Sequence, residues 1–368
     1  MARTVKHVSL HRIAAPPVGD RQVERTELRV IADVESGVWP VIQVEEQVVR
    51  GYASRPTWPH RWVTLFILQD LQPLINQLGA EGDLASVRAR AGAESLPPGG
   101  RAALAERPVL NVYDLADLAN CHVFVNQRAM IAQGYWDDAL AIQGLLAHEH
   151  AHPLAENETT RASRRWRIRM QVDGFATTDR QERVQSLLNL LAEKLALYAP
   201  RELFANEVTL HNGFGAALLH LNRRNMANVL RSVAGREDLL RHLQQEREQG
   251  ELSAAEADLL LLIGDLRAYL ELALEVASFY HAGQTSAAQE MEGVLEREVF
   301  PLLDRRVGEA YLALRAHYLT LRPDLTASEV KEWGGGVLDI LAQALASPGA
   351  EVRYQWHTVR AAVHSTAG

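Results

Sequence analysis

The second half of this 368-residue chain carries an almost unbroken helical pattern, which constrains the fold more than any other feature. Over residues 179–345, leucine and alanine recur at the spacing of amphipathic helices, with breaks at Pro200, Gly250 and Pro323. This pattern predicts a large, mostly helical C-terminal half whose apolar faces pack into a core. Valine- and isoleucine-rich runs before residue 130 predict a small mixed sheet, so the expected fold class is α+β.

The N-terminal segments differ in the spacing of their apolar residues. Residues 26–34 and 38–52 are rich in valine and isoleucine, and we predict that both are β-structure. Residues 62–78 contain leucines at helical spacing and predict a helix. Residues 108–113 and 122–126 are short apolar runs that predict strands, and the second is the candidate edge strand of a sheet beside an active site.

A proline- and glycine-rich stretch divides the N-terminal half. Residues 91–100 include the run Pro97, Pro98, Gly99, Gly100, which is typical of a loop or linker. We therefore predict three parts: residues 1–105, a β-rich segment with a helix; residues 106–215, a central core; and residues 216–368, a helical domain with a short tail.

Charge and cysteine content limit the classes of partner and compartment. The net charge of −8 argues against a protein devoted to nucleic acid, because phosphate binding favours a basic surface. Cys121 is the only cysteine, so the chain cannot form an intrachain disulfide. The sequence therefore gives no sign of an oxidising compartment. Charged residues interrupt the most apolar runs, which argues against a membrane span. We expect a cytoplasmic protein, and the sequence leaves its oligomeric state open.

The chemically informative motif is His148-Glu149-x-x-His152 within a helix predicted over residues 136–152. At about 100° per residue, His148 and His152 lie about 40° apart on one face, where two imidazoles can bind one Zn²⁺. Glu149 lies about 100° from His148, near enough to reach a water at the ion. His150 lies on the far face and is excluded as a ligand. Pro153 predicts the end of this helix.

A catalytic zinc site needs a third protein ligand. Glu156 and Glu158 follow the motif closely, but a helix that ends at Pro153 would not aim them at the ion. Glu202 is the better candidate, because it begins a predicted helix after Pro200. Asn206 lies one turn later on the same face and can hydrogen-bond the second ring nitrogen of a ligating histidine. Glu207 lies about 140° away from Glu202 around that helix.

These motifs together resemble those of a known peptidase family. His148-Glu149-x-x-His152, followed by Glu202-x-x-Ala205-Asn206, is similar to the gluzincin metallopeptidases, and most of all to the compact minigluzincins. The resemblance covers about residues 106–215 and implies a zincin-like core. It also implies Zn²⁺ bound by His148, His152 and Glu202, with Glu149 as the general base of peptide hydrolysis.

Some features of this interpretation leave alternatives open. Tyr198 and His211 are candidates for stabilising the oxyanion, although an ordinary partly buried histidine explains His211 as well. Residues 161–169 carry five arginines around Trp166, either as a cationic patch or as a solvated face paired with acids. The expected partner is a peptide or protein substrate. The alternative function is a regulatory or binding protein that keeps a peptidase-like zinc site and recognises a protein or nucleic acid.

Overall fold

A computed structural model describes residues 5–14, 26–75, 105–173, 177–346 and 352–359. The linker predicted at residues 91–100 lies outside these ranges. The chain divides into two compact units. Unit 1 contains Met1–Ala155 and Ala205–Asn225, and unit 2 contains Glu156–Phe204 and Met226–Gly368. The three-part division expected from the sequence stays a prediction.

Unit 1 contains a five-stranded mixed sheet with the strand order β1-β2-β3-β5-β4. The two outer pairs, β1 with β2 and β4 with β5, are antiparallel, whereas β3 is parallel to both β2 and β5. Valine, leucine and isoleucine are buried at alternate positions of the central strands, as the pleat requires. The strands are β1 (His7–Ile13), β2 (Thr26–Ala32), β3 (Trp62–Leu68), β4 (Val109–Asp114) and β5 (Asp117–Asn126).

The predictions for two segments were wrong. Val38–Ala53 is a helix, α1, although its composition indicated β-structure. Its buried residues recur with the helical period along one face, and this spacing outweighs the strand propensity of valine. Trp62–Leu68 is a strand rather than the start of a helix, because its apolar run lies between two parallel neighbours in the middle of the sheet.

The strand expected at the edge of the sheet beside the active site, residues 122–126, is not the edge strand. Strand β5 pairs with both β3 and β4, so it lies inside the sheet, and β4 forms the edge. The first of the two predicted strands, rather than the second, therefore lies beside the helix that carries the motif.

Unit 1 also contains the motif helix, α3 (Ala139–Leu154), which follows the short helix α2 (Gln127–Ala132). Asp138 caps α3, since its side chain accepts a hydrogen bond from the backbone nitrogen of Ala141 at 3.1 Å. The Tyr52 hydroxyl of α1 donates to the carbonyl oxygen of Ala147 at 2.8 Å and joins the two helices.

The motif helix continues through Pro153 to Leu154, so the helix end predicted at His152 was two residues too early. Proline lacks the N–H group that would bond to the carbonyl oxygen four residues earlier, which is that of Glu149. The side-chain nitrogen Nδ2 of Asn111, on β4, donates to this oxygen at 2.9 Å. Asn111 thus replaces the hydrogen bond that Pro153 removes from the helix.

Unit 2 is mostly helical, and the chain as a whole is α+β, as the sequence predicts. Its only described sheet is the antiparallel pair of β6 (Trp166–Val172) and β7 (Val352–Thr358). The arginine-rich residues 161–169 run from helix α4 (Glu158–Ser163) into β6, and Arg164 pairs with Glu156 within the same unit. The elements that lie wholly in unit 2 are α4 (Glu158–Ser163), β6 (Trp166–Val172), α5 (Thr178–Glu193), the π-helix Lys194–Tyr198, α8 (Ala254–Tyr269), α9 (Leu272–His281), α10 (Thr285–Val294), the π-helix Leu295–Val299, the 3₁₀ turn Phe300–Leu302, α11 (Arg305–Tyr318), α12 (Ala327–Leu345) and β7 (Val352–Thr358).

The boundary between the two units crosses two helices. These are α6 (Ala199–Thr209) and α7 (Gly215–Glu248), which are separated by the π-helix Leu210–Phe214. Among the described residues, no helix combines the length and apolar character that a membrane crossing requires.

Candidate metal centre

Helix α3 presents the two motif histidines one turn apart. The ring centroids of His148 and His152 are 4.6 Å apart, and the ring planes are nearly perpendicular at 80°. His152 is buried and His148 is half-buried. This is the arrangement that helix geometry predicts for residues four positions apart, and it allows both rings to approach one ion.

A hydrogen bond fixes the orientation of the His148 ring. Oδ1 of Asn206, on α6, lies 2.7 Å from Nδ1 of His148. Because the amide oxygen only accepts, Nδ1 carries the proton, and Nε2 is the nitrogen with a lone pair to donate. Contacts of this kind hold metal-ligating histidines in one tautomer and one orientation.

Glu202 lies one turn before Asn206 on the same helix. The boundary between the two units falls inside α6, after Phe204. The helix is nevertheless continuous from Glu202 to Asn206. One ligand atom from each of His148, His152 and Glu202 lies within 4.8 Å of the other two. Two imidazoles and one carboxylate form a ligand set that Zn²⁺ uses in catalytic sites, with a fourth position left for water. The donor types and their convergence therefore fit zinc.

The chain was compared with protein-family models, with curated protein sequences and with solved structures. No match was found.

Glu149, on α3, is hydrogen-bonded to the edge strand β4. Its side-chain oxygen Oε2 accepts a hydrogen bond from the backbone nitrogen of Asn111 at 3.2 Å, and only 7% of Glu149 is exposed. Asn111 therefore contacts both the carboxylate and the backbone carbonyl of Glu149. Sequence reasoning missed Asn111, although a buried asparagine within an apolar strand was a usable signal.

His150, between His148 and His152 in the motif, points to the opposite side of α3. Its ring is fully buried, and its Nε2 lies 2.8 Å from Oε1 of Glu45 on α1. Burial works to lower the pKa of His150, but the Glu45 carboxylate and the neighbouring Cys121 outweigh it and raise the pKa above its usual value. The sequence could not identify Glu45, because its segment was assigned to β-structure.

The other carboxylates that were candidates for the third ligand have different surroundings. Glu156 pairs with Arg164, whose Nη1 lies 3.0 Å from Oε2 of Glu156. Glu158 is exposed in the first turn of α4, and Glu207 is half-buried on α6. None of these three belongs to a described group with the spacing needed to hold an ion, in contrast to Glu202.

The two candidate donors for an oxyanion lie in π-helical segments. Tyr198 ends the first of these segments and is half-buried. His211 lies in the second and is exposed. Gly213 has a φ of 90° in that second segment, so the helix is irregular there.

Proposed function

We propose that this protein is a zinc-dependent metallopeptidase. The observation that carries the proposal is the convergence of His148, His152 and Glu202, with Glu149 next to the first ligand in the motif. The resemblance to the gluzincins supports the same assignment, because it implies the same three ligands and the same base.

The roles of the residues follow from their chemistry. A zinc ion held by His148, His152 and Glu202 would supply Lewis acidity to a water molecule and to a substrate carbonyl. Glu149 accepts the proton of the attacking water and returns it to the leaving amine. Asn206 holds the ring of His148, and Asn111 positions Glu149 through its backbone amide and its side chain.

A second function has one specific observation in its favour. The Glu149 carboxylate is mostly buried and accepts a hydrogen bond from Asn111, so a role in holding β4 against α3 would also explain its presence. In that case the protein is a regulatory or binding protein that keeps a peptidase-like zinc site and recognises a protein or nucleic-acid partner. The two functions differ in whether Glu149 is needed for chemistry.

The deciding experiment compares the parent with Glu149→Gln in digestion of a peptide library, with zinc content measured on the same samples. Glutamine keeps an oxygen that can accept from Asn111 but is not a proton acceptor at neutral pH. We expect unchanged zinc and a fall in kcat/KM of about 10²–10⁴-fold, the usual contribution of general acid–base catalysis. Chelator should abolish cleavage by the parent. Equal cleavage by parent and variant would refute the base assignment, and a parent without peptidase activity would favour the binding protein.

The ligand assignment has its own matched controls. Glu202→Ala should lose most of the zinc bound at this centre, because two imidazoles alone hold it weakly. Glu156→Ala and Glu207→Ala remove carboxylates of the same type nearby in sequence and should retain zinc. Full zinc in Glu202→Ala would contradict the choice of third ligand.

A further inference from the structure

Unit 1 contains a second group of side chains that can bind a metal ion, on the opposite side of α3 from the motif histidines. His60 precedes β3, Cys121 lies on β5 and His150 lies on α3, and all three are at least 98% buried. One ligand atom from each lies within 4.8 Å of the other two. The sulfur Sγ of Cys121 is 4.0 Å from Nδ1 of His150.

In each of the two histidines, the ring nitrogen that faces away from the group already has a hydrogen-bond acceptor. Nε2 of His150 lies 2.8 Å from Oε1 of Glu45, and Nδ1 of His60 lies 2.5 Å from the carbonyl oxygen of Leu118. A carboxylate and a backbone carbonyl are the acceptors that metal-ligating histidines use most often. These bonds leave Nδ1 of His150 and Nε2 of His60 as the nitrogens that can face an ion.

Nε2 of His60 is a buried polar atom with no hydrogen-bond partner in the described structure. Leaving such an atom unsatisfied costs free energy, so an unpartnered nitrogen inside a group of donors indicates a missing ligand.

We infer that His60, Cys121 and His150 bind a second, buried Zn²⁺ ion with a structural role. Imidazole and thiolate are donors that zinc prefers and that calcium and magnesium do not use. The charges also balance, because the thiolate and Glu45 together offset a divalent cation within a buried site. On binding, sulfur forms a bond to zinc, and protons displaced from the thiol and from a charged His150 ring pass to the buffer.

Asn111 places an oxygen beside this group of ligands. The thiol of Cys121 donates to Oδ1 of Asn111 at 3.1 Å, so this oxygen is a candidate for the fourth ligand of an ion that replaces the thiol proton. The ion would join the segment before β3, strand β5 and helix α3, which are distant in sequence. It would also fix Asn111, which holds Glu149.

Cobalt substitution tests this site separately from the motif site, because only the buried site contains a thiolate. The full chain is produced in medium supplemented with Co²⁺ or with Zn²⁺ and purified without chelator, so that the buried ion enters during folding. We expect a thiolate-to-cobalt charge-transfer band in the parent and in His148→Gln. The band should be absent in Cys121→Ser.

Zinc content gives the second measurement. The parent should hold about two zinc ions per chain, and His60→Gln, which keeps the thiol, about one. His122→Gln is the matched control, because His122 is the exposed neighbour of Cys121 on β5, and it should keep about two. If Cys121→Ser fails to fold, the cobalt band of the parent and the zinc content of His60→Gln still show whether the buried site binds a metal ion.

The outcomes separate this inference from the proposed function. A cobalt-loaded parent without the charge-transfer band overturns the buried site, whatever happens at the motif. Equal zinc content in His60→Gln and His122→Gln overturns it as well. About one zinc per chain together with the band supports the buried site and refutes metal binding by the motif.

Discussion

The role of Asn111 as a substitute for a missing helix hydrogen bond can be tested with a double-mutant cycle. Asn111→Leu keeps the approximate volume and removes the donor Nδ2 that bonds to the Glu149 carbonyl oxygen. In the parent, Pro153 has no N–H group to replace it, so the buried oxygen loses its partner. In the Pro153→Ala background, the backbone N–H of alanine can bond to the same oxygen, as in an ordinary helix.

The magnitude follows from the free-energy cost of an unsatisfied buried acceptor, about 1–3 kcal/mol. Asn111→Leu also changes packing and removes the acceptor of the Cys121 thiol, but these effects occur in both backgrounds and cancel in the cycle. We therefore expect Asn111→Leu to destabilise the parent more than Pro153→Ala protein, by a coupling free energy of about 1–2 kcal/mol.

The assay is urea-induced unfolding of the four proteins, treated with chelator and followed by far-ultraviolet circular dichroism. The free energy of unfolding is obtained by linear extrapolation. Additive effects, with a coupling below about 0.3 kcal/mol, would refute the claim that Asn111 compensates for Pro153.

Two further predictions concern the same helix. Asp138→Ala should lose about 1 kcal/mol of stability through loss of the N-cap, whereas Asp138→Asn keeps a capping oxygen. Burial works to raise the pKa of Asp138, but hydrogen bonds from His220, the Ala141 amide and Arg224 lower it to about 2. The stability advantage of the parent over Asp138→Asn should therefore be present above pH 3.8 and decline as the pH falls towards 2, and a gap independent of pH in urea unfolding would contradict this. Gly144→Ala should destabilise the protein by about 1–3 kcal/mol, because the added Cβ would lie 2.8 Å from a backbone oxygen. The control Gly235→Ala, on helix α7 with open space around it, should stabilise the protein by up to about 1 kcal/mol. Thermal unfolding that shows a stability change of the same sign for both variants would refute the packing argument.

The parts of the fold that the sequence predicted depend on local periodicity. The strands β2, β4 and β5 and the helical pattern of the C-terminal half were identified because their apolar spacing agrees with their composition. Residues 38–52 and the first part of 62–78 were assigned wrongly because spacing and composition disagreed, whereas residues 72–75 are helical as predicted and residues 76–78 lie outside the described ranges. In Val38–Ala53 the helical spacing prevailed over valine content, and in Trp62–Leu68 burial between two parallel strands produced a continuous apolar run that also fits a helix.

The candidate site divides in the same way between local and long-range information. Helix geometry alone orients His148 and His152, and one further helix carries both Glu202 and Asn206. The partners on the sheet and on α1 were not predictable, since Asn111 and Glu45 approach the motif helix only after long loops close. Their placement depends on tertiary packing rather than on any spacing within the sequence.

The buried pair of His150 and Glu45 has a consequence for the sequences of relatives of this chain. Position 150 belongs to the two variable places of the motif, yet here it carries a buried imidazole whose carboxylate partner lies 105 positions earlier. Evolution can therefore change the two residues only together, because an orphaned charge in the interior would be strongly destabilising. Relatives with an apolar residue at 150 should also lack the acid at 45, and this covariation would mark them as a separate lineage.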